Sequence, residues 1–353
     1  MSEQPEKKKL KAFKPILMIL LIFIAAAIWI GYGKYNYIFE PNVKNNSTAH
    51  ILEVPTGTDY IGLKKILFDD EIINDSTSFN WVANFMKYKK VRPGRFEIKP
   101  GWNNRRLINF LKAGKQSTVK IVVNNERTVD EIAGKISKVL EPDSLEIISI
   151  FNDTAFLKRN GYTKETFISL FIPNTYDFYW NTKPKDFVER MVKEHDKFWA
   201  AKERKNKAVD LKMTPEEIYT LASIVEKETN QNHEKPTIAG VYLNRLEKGM
   251  LLQADPTVVF ANMDFTIRRV LNKHLTKDSP FNTYLYAGLP PGPISTASIA
   301  SIDAVLNHED HNYIYFCAKP NNSGSHAFAK TLAGHNRNAN KFRMWLSKRG
   351  IRK

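Results

Sequence analysis

The sequence predicts an α+β protein with an N-terminal transmembrane helix, a small α+β subdomain and a larger domain of mixed α/β structure. Three observations predict this fold class. Residues 15–33 carry no charged side chain, residues 50–118 alternate between strand-like and helix-like patterns, and longer helical periods with short strands follow. The predicted boundaries are a cytoplasmic basic tail (1–14), a transmembrane helix (15–33), a linker (34–49), the small subdomain (50–118) and the large domain (119–353).

The chain is strongly basic, with a formal net charge of +16 over 353 residues. Five lysines lie among the first 14 residues, and the remaining excess is spread through the chain. Nucleic acid, anionic lipid headgroups and anionic cell-wall polymers are the possible acidic partners. No zinc-finger, homeodomain or RNP pattern accompanies the charge, so we expect no nucleic-acid partner.

The apolar run near the N-terminus predicts a membrane span. Ile16–Ile30 is unbroken apolar sequence, and nineteen helical residues extend about 28 Å, close to the thickness of the hydrocarbon core. Lysines precede the run, whereas Trp29, Tyr32 and Tyr35 lie at its far end. The positive-inside rule therefore places the N-terminus in the cytoplasm and the large domain on the outer, periplasmic side of the inner (cytoplasmic) membrane.

A cleaved signal peptide is the competing interpretation of this run. Ala25–Ala27 offers small residues near a possible cleavage site, but the apolar sequence continues to Ile30. This continuation favours an uncleaved single-pass anchor. Cys317 is the only cysteine, which excludes an intramolecular disulfide and makes a cysteine-based metal site implausible.

Residues 50–118 show the order strand, helix, helix, strand. Ile51–Pro55 alternates as a strand, Thr58 or Asp59 can cap a first helix, and Asp75, Ser76 or Thr77 can cap a second. An alternating strand over Gly94–Gly101 and a short helix follow. This order resembles a LysM-like module, a fold that binds glycans containing N-acetylglucosamine. The alternative is a small spacer domain.

The segment Pro215–Thr229 predicts an amphipathic helix with one unusual carboxylate. On a helical wheel Glu228 lies roughly 40° from the centre of the apolar stripe, whereas Glu226 lies roughly 120° away. A carboxylate beside an apolar stripe loses hydration, which raises its pKa and suits it to act as a general acid. The alternative is that Glu228 marks the point where the helix returns to solvent.

Several loops carry polar or aromatic groups that could bind a ligand. Phe171–Trp180 is rich in aromatic residues, which line either sugar grooves or ordinary core edges. Leu251–Val258, predicted as a loop, contains three hydrogen-bonding side chains within five residues. Proline-rich Gly288–Ile294 is predicted to be a rigid surface segment, and Phe187–Lys207 a solvated amphipathic helix.

The cluster His308-Glu309-Asp310-His311 does not predict a metal site. Zincin histidines lie four residues apart on a helix, whereas these lie three apart in a predicted loop.

Several motifs in a fixed order resemble the MltG/YceG-like family of endolytic murein (peptidoglycan) lytic transglycosylases. The matching motifs are Leu221–Thr229, Leu252–Thr257, Asn282–Tyr284, Gly288–Ile294 and His326–Phe328 with Thr331, His335 and Asn336. The family commonly has a glutamate before the final His-Asn pair, where this chain has Gly334, and this puts one supporting interaction in doubt.

The resemblance implies an architecture and a reaction. It implies a LysM-like subdomain followed by a catalytic domain with a lysozyme-like active-site helix, and Glu228 as the single general acid and base. The implied reaction cleaves the MurNAc–GlcNAc β-1,4 bond of nascent strands without water and forms 1,6-anhydroMurNAc ends. No cofactor or metal is implied; the implied partners are glycan strands and the membrane, with peptidoglycan synthases as candidates.

The residues expected to bind substrate have two possible roles. We expect them to position the sugars or orient Glu228, with loop stabilisation as the competing role, and they are Gln253, Asp255, Thr257, Asn282, Tyr284 and His326. Glu226 and Glu228 point in different directions on one helix and are not a glycosidase pair. Asp255 keeps a muramidase open as an alternative, and a non-catalytic glycan-binding scaffold is a further one.

Overall fold

The structure, a computed structural model, describes residues 9–350. It begins with helix α1, Lys9–Phe39. The stretch Pro15–Phe39 is long and apolar enough to cross a membrane, and its apolar 18-residue window is not buried in protein. The predicted apolar helix is therefore confirmed, although it continues past Gly33 to Phe39. Such a helix is compatible with a single-pass anchor and also with a signal sequence.

The chain divides into two compact units. The first comprises residues up to Val119 together with Tyr179–Asn181, and the second comprises Lys120–Phe178 together with the chain from Thr182 onward.

After α1 the first unit contains two strands and three helices. They are β1 His50–Val54, α2 Tyr60–Asp69, α3 Ser76–Phe85, β2 Gly94–Ile98 and α4 Asn104–Ala113. The strands pair antiparallel with Leu52 opposite Phe96. Asp59 and Asp75 cap α2 and α3 by accepting backbone N–H bonds. The predicted order of elements is confirmed, while its likeness to a LysM module stays a prediction.

The segment predicted as a linker, residues 34–49, packs against the first unit. Helix α1 occupies its first part, and Asn42 and Val43 are buried. The Asn42 side chain donates hydrogen bonds to Asn104 Oδ1 (2.8 Å) and to the carbonyl of Asp75 (2.9 Å). The part of this segment after α1 shows no helical or strand period because it is an extended chain. Side-chain hydrogen bonds fix its position, so it is not a flexible linker.

Strand β3, Thr118–Val123, leads into the second unit, which is mainly helical. Its further elements are α5 Val129–Ile136, α6 Ser144–Phe151, α7 Thr154–Arg159, β4 Asn174–Tyr179, α8 Pro184–Ala200, α9 Arg204–Asp210, α10 Pro215–Glu228, α11 Lys235–Glu247, α12 Asp255–Ala261, α13 Asn272–Leu275, α14 Ile299–Leu306, β5 Tyr315–Ala318, β6 His326–Ala329 and α15 Leu332–Lys348. Strand β3 pairs with β4, and β5 pairs antiparallel with β6.

Helix α10 forms the centre of the second unit. Thr214 and Glu217 form a capping box at its start, with Pro215 in the first turn. Every residue of Ile218–Val225 is buried, and this helix shares a core with residues of α11 and α14. A helix that is buried all round cannot shift without disrupting the core, so its last turn is held in a fixed position.

The prediction that Gly288–Ile294 is a surface segment is wrong for its second half. Ile294 is fully buried, and its N–H donates to Ser223 Oγ at 3.0 Å. Beyond it, the N–H of Ala297 donates to Tyr219 Oη at 3.1 Å. Side-chain oxygens on α10 therefore satisfy the backbone of a loop that crosses the core.

The solvated helix predicted over Phe187–Lys207 is two helices with a substantial buried face. Helix α8 buries Phe187, Met191 and Trp199 and ends at Ala200. Lys202 then adopts a left-handed conformation (φ 54°), which breaks the helical path before α9.

Candidate active site

The last turn of α10 carries two glutamates with different surroundings. Glu226 Oε2 accepts hydrogen bonds from Lys235 Nζ (3.0 Å), Ser298 Oγ (2.5 Å) and Ser301 Oγ (2.5 Å). Partial burial acts to raise the pKa of Glu226, but the hydrogen bonds from the two serines and from Lys235 outweigh it and hold the pKa below its usual value. Glu226 is therefore a carboxylate that joins α10, α11 and the start of α14.

The pKa of Glu228, the last residue of α10, is shifted in the opposite direction, above its usual value. Burial is the main cause that raises the pKa of its carboxyl group, the negative charge of Asp255 adds to it, and the net pKa is about 7. A hydrogen bond from Tyr242 Oη to Oε1 (2.7 Å) and the positive charge of Arg245 act to lower it. Glu228 remains partly accessible to solvent. A carboxyl group that titrates near neutrality and can reach a ligand fits a general acid.

Sequence reasoning missed two residues of the candidate site, Tyr242 and Arg245, which act on Glu228. Both lie on α11, and Arg245 donates to the carbonyls of Leu252 (2.6 Å) and Ile314 (2.7 Å). Arg245 thereby links the loop before α12 to the residue that directly precedes strand β5. The only signal in the sequence is that the side chains of Tyr242 and Arg245 share a helix face with apolar residues, and this does not reveal their long-range partners.

Asp255 and Tyr284 lie close to Glu228. Asp255 begins helix α12, so the predicted loop Leu251–Val258 ends at Ala254 and the prediction is wrong beyond that point. Tyr284 Oη donates to Asp255 Oδ1 at 2.6 Å. Burial and this hydrogen bond raise the pKa of Tyr284, which therefore stays a proton donor.

A cleft of about 360 Å³ brings Glu228 and Asp255 together. Its remaining lining is Arg127, Lys227, Pro256, Val259, Ile267, Arg268, Arg269 and Val270. A larger cavity of about 1020 Å³ lies at the other end of α10, beside Thr214 and Glu217, and none of the predicted site residues lines it. We assign the site to the smaller cleft because it holds the carboxyl group with the raised pKa.

Three of the predicted substrate-binding residues hold the loops around the cleft. Thr257 and Asn282 are fully buried. Thr257 Oγ1 shares a hydrogen bond with Thr283 Oγ1 (2.8 Å), and the Asn282 amide donates to the carbonyls of Leu275 and Lys277. The Gln253 N–H donates to the carbonyl of Thr283, while its side chain is exposed. For Thr257 and Asn282 these contacts fit the competing role of loop stabilisation.

His326 is bonded to a buried acid rather than to the other predicted residues. Its N–H donates to Glu234 Oε1 (2.9 Å), and its Nδ1 lies 3.0 Å from Glu234 Oε2. Burial alone would raise the pKa of Glu234, but the bonds from His326 hold it below its usual value. Sequence reasoning missed Glu234, which precedes α11 and lies far from His326 along the chain.

The His308–His311 segment lies in a loop, as predicted. His311 Nε2 lies 2.9 Å from the carbonyl of Thr237, and its Nδ1 accepts from the N–H of Tyr313 (3.1 Å). Within residues 9–350, no group of three or more His, Cys, Asp or Glu side chains is arranged to hold a metal ion.

Fold and site together define a class of protein. A single helix, buried by its neighbours, presents a carboxyl group with a raised pKa to a cleft that holds a second carboxylate and several cations. Such an arrangement is suited to general acid chemistry on a bound ligand. The chain belongs to the YceG-like family, whose sequence model matches residues 52–341.

Named relatives and a solved structure support this assignment. The chain is 28% identical over 330 residues to the endolytic murein transglycosylase of Bacillus subtilis (strain 168), covering 88% of this chain and 89% of that protein. It is 23% identical over 368 residues to the protein of the same name from Streptococcus pneumoniae D39, of whose length it spans 64%. A crystal structure of a yceG-like protein from Listeria monocytogenes matches with a TM-score of 0.55 and 29% identity, over 83% of this chain and 99% of that one.

Proposed function

We propose that this protein is an endolytic lytic transglycosylase that cleaves the β-1,4 bond between MurNAc and GlcNAc in nascent peptidoglycan strands. The observation that carries this proposal is Glu228, a carboxyl group whose pKa is raised to about 7 at the edge of a cleft. The names of the relatives from B. subtilis and S. pneumoniae give the proposal its substrate.

In the proposed reaction Glu228 acts twice. Its carboxyl proton passes to the glycosidic oxygen as the bond to C1 breaks, and GlcNAc leaves as an alcohol. The C6 hydroxyl of the same muramoyl residue then attacks C1 and gives its proton to the Glu228 carboxylate. The products are a 1,6-anhydroMurNAc end and a restored acid, so no water is consumed and no second carboxylate is needed.

The hydrogen bond from Tyr242 makes this cycle possible near neutral pH. It fixes the orientation of Oε1 and stabilises the carboxylate that forms after proton transfer. Asp255, held by Tyr284, lies in the same cleft, where it can accept hydrogen bonds from sugar hydroxyl groups. We propose that Gln253 and His326 contact substrate farther along the strand, and that Thr257 and Asn282 act by holding the loops.

One observation favours a second candidate function. Asp255 shares the cleft with Glu228, so a muramidase that uses both carboxylates and admits water is the principal alternative. A non-catalytic glycan-binding scaffold is less consistent with the raised pKa of Glu228, because a binding protein gains nothing from a carboxyl group poised to transfer a proton.

The decisive experiment is mass spectrometry of purified glycan strands digested with the detergent-solubilised full chain. We expect anhydromuramoyl ends from the unaltered protein, and cleavage slower by about 10³-fold in Glu228→Gln. Glu226→Gln is the matched control on the same helix turn. It should remain within about tenfold of the parent, since Glu226 contacts no substrate in this scheme and the Gln amide oxygen can still accept the hydrogen bonds from Lys235, Ser298 and Ser301 that hold this turn.

Other outcomes would select the alternatives. Hydrated reducing ends that disappear in Asp255→Asn would establish the muramidase. No cleavage by the unaltered full-length protein on any strand preparation would leave the scaffold.

We further propose that α1 anchors the protein in the inner membrane with its N-terminus in the cytoplasm and the second unit on the periplasmic side. The apolar length of Pro15–Phe39 supports the anchor. Glycan binding by the LysM-like residues 50–118 and contact with peptidoglycan synthases stay predictions of the family resemblance.

A further inference from the structure

Positive side chains line the cleft that contains Glu228. They come from three separate parts of the second unit, namely the turn before α5, the last turn of α10 and the segment after α12, and they are Arg127, Lys227, Arg268 and Arg269. With Glu228 protonated, Asp255 is the only negative charge in this lining. The cleft is therefore a cationic surface beside the candidate acid.

None of these four cations forms an ion pair within the described residues 9–350. Lys227 bonds to a neutral group, Asn125 Oδ1. The Arg127 guanidinium lies over the ring of Phe265, 4.6 Å from its centroid, which orients it without neutralising it. Arg268 and Arg269 are exposed.

Grouping like charges in this way is unfavourable in the free protein. Burial lowers the pKa of Lys227 and the neighbouring Arg127 lowers it too. Together they outweigh the more weakly acting carboxylates of Glu226, Glu131 and Glu126. The repulsion between these cations is relieved when an anion binds beside them, so an anionic ligand stabilises the cluster. A neutral polysaccharide would not supply that anion.

We propose that Arg127, Lys227, Arg268 and Arg269 form a subsite for a carboxylate on the muramoyl residue of the bound strand. This inference rests on the proposed function and specifies its substrate. The sugar rings of peptidoglycan are uncharged, so the carboxylate comes from the 3-O-lactyl group of a peptide-free strand or from a stem peptide. The subsite distinguishes muramoyl-containing glycans from polymers of N-acetylglucosamine alone, which carry no carboxylate.

The test measures binding separately from cleavage, in the full chain carrying Glu228→Gln. Three ligands of equal length are compared: peptide-free strands, peptide-bearing strands, and peptide-free strands whose lactyl carboxylates have been converted to amides. We expect amidation to weaken binding about fivefold, an effect that salt screens. Preference for the peptide-free or the peptide-bearing strand identifies the source of the carboxylate.

Arg268→Gln/Arg269→Gln removes two of the four charges from exposed positions that carry no core packing. We expect this pair to bind the carboxylate strands about fivefold more weakly than its parent and to be nearly insensitive to amidation. Lys193→Gln/Lys197→Gln on α8 is the matched control, since it removes two exposed, unpaired cations of the same unit away from the cleft. It should bind as the parent does.

Equal binding of all three ligands, or an Arg268/Arg269 variant that binds like its control, would overturn the subsite. These results are independent of the reaction. Carboxylate-dependent binding by a protein that never cleaves strands would retain the subsite and reject the transglycosylase, whereas cleavage with charge-independent binding would do the reverse.

Discussion

Glu226 and Glu228 differ in environment although one residue separates them. Lys235 and two serine hydroxyls surround the first, whereas the second faces the hydroxyl of Tyr242 and an accessible cleft. Their pKa values consequently move in opposite directions. The same side chain thus gives a carboxylate with a lowered pKa in one position and a carboxyl group with a raised pKa in the other, and only the second suits a proton donor.

The pH dependence of cleavage should follow the protonated fraction of Glu228. We expect kcat/KM to fall as the pH rises through about 7, because the free enzyme must carry the proton that it delivers. Tyr242→Phe removes a hydrogen bond that lowers the pKa of Glu228, so the midpoint should move to higher pH. Activity below the midpoint should fall about threefold to tenfold because the carboxylate intermediate loses its donor.

Tyr219→Phe is the control for this measurement. Tyr219 is a buried tyrosine whose hydroxyl donates to the carbonyl of Phe171, and its loss should lower stability without moving the midpoint. An unchanged midpoint in Tyr242→Phe would mean that Glu228 does not set the profile.

Stability should also depend on pH through Glu228. Its pKa is about 7 in the folded protein against a usual value of 4.5, so the folded state binds more protons between these two values. The free energy of unfolding therefore decreases as the pH rises through this window, and the penalty is complete above about 7.

Glu228→Gln carries no such penalty and should be more stable than the parent by about 1–3 kcal/mol at pH 8, with the difference vanishing below pH 4.5. Urea titrations at both pH values measure it; a gain that is equal at both would contradict the raised pKa.

The helical wheel predicts Glu228 but cannot predict its partners. The wheel depends on the spacing of apolar residues within one helix, which is local information. Tyr242 and Glu234 contribute through contacts between distant parts of the chain, and no periodicity encodes those. Thr257 and Asn282 show a second limit of sequence reasoning. A polar residue in a motif stabilises a loop as readily as it binds a ligand, and the sequence alone does not distinguish the two roles.

Among the elements, the Pro290–Pro293 turn depends on a glycine for steric reasons. A Cβ atom on Gly292 would lie 2.1 Å from the carbonyl oxygen of Glu165, which is backbone and cannot move aside. Gly292→Ala should therefore lower the free energy of unfolding by about 2–3 kcal/mol. Gly134→Ala is the matched control, since a Cβ there meets no atom within 4 Å on helix α5, and it should be neutral or stabilising by up to about 1 kcal/mol. Denaturant titrations compare the two, and equal effects would refute the steric argument.

The ion pair between Lys235 and Glu226 should contribute strongly to stability because it is mostly buried. The exposed fractions of their side chains are 4% and 25%. Lys235→Met leaves Glu226 with only two hydroxyl donors and should cost about 3 kcal/mol, while Lys235→Met/Glu226→Gln should cost less than the sum of the single changes. The exposed pair Arg190–Glu194 on α8 is the control, where Arg190→Met should cost under about 1 kcal/mol. Strict additivity in the double-mutant cycle would show that the pair does not couple.

Most elements follow from local patterns, and the exceptions have identifiable causes. Helices α2 and α3 begin at predicted caps, and α10 begins at the predicted Pro215, because a capping side chain and an apolar period are both short-range signals. Gly288–Ile294 was misplaced at the surface because proline indicates a turn without indicating burial. Ser223 Oγ and Tyr219 Oη on α10 accept hydrogen bonds from the end of this segment and from the residues after it, which allows the chain to cross the core. These oxygens lie next to the loop only in the folded structure.

At the scale of the whole molecule, the fate of α1 decides where the protein acts. If α1 is an uncleaved anchor, the purified protein should have the mass of the full chain and should remain with membranes after a high-salt wash, because Pro15–Phe39 is held by apolar burial rather than by charge. A signal peptide cleaved near Ala27 would instead give a shorter mass and a protein that leaves the membrane fraction. Intact-mass spectrometry after fractionation distinguishes the two.

The network around Glu226 has a consequence for the dynamics of the second unit. Lys235 at the start of α11 and Ser298 and Ser301 at the start of α14 meet on one carboxylate of α10, two residues before Glu228. The last turn of a helix ordinarily frays, but here fraying would have to break contacts with two other helices at once. Backbone amides of Ile224 and Val225 should therefore exchange with deuterium only when the whole unit opens, and the acid keeps its orientation for as long as that unit stays folded.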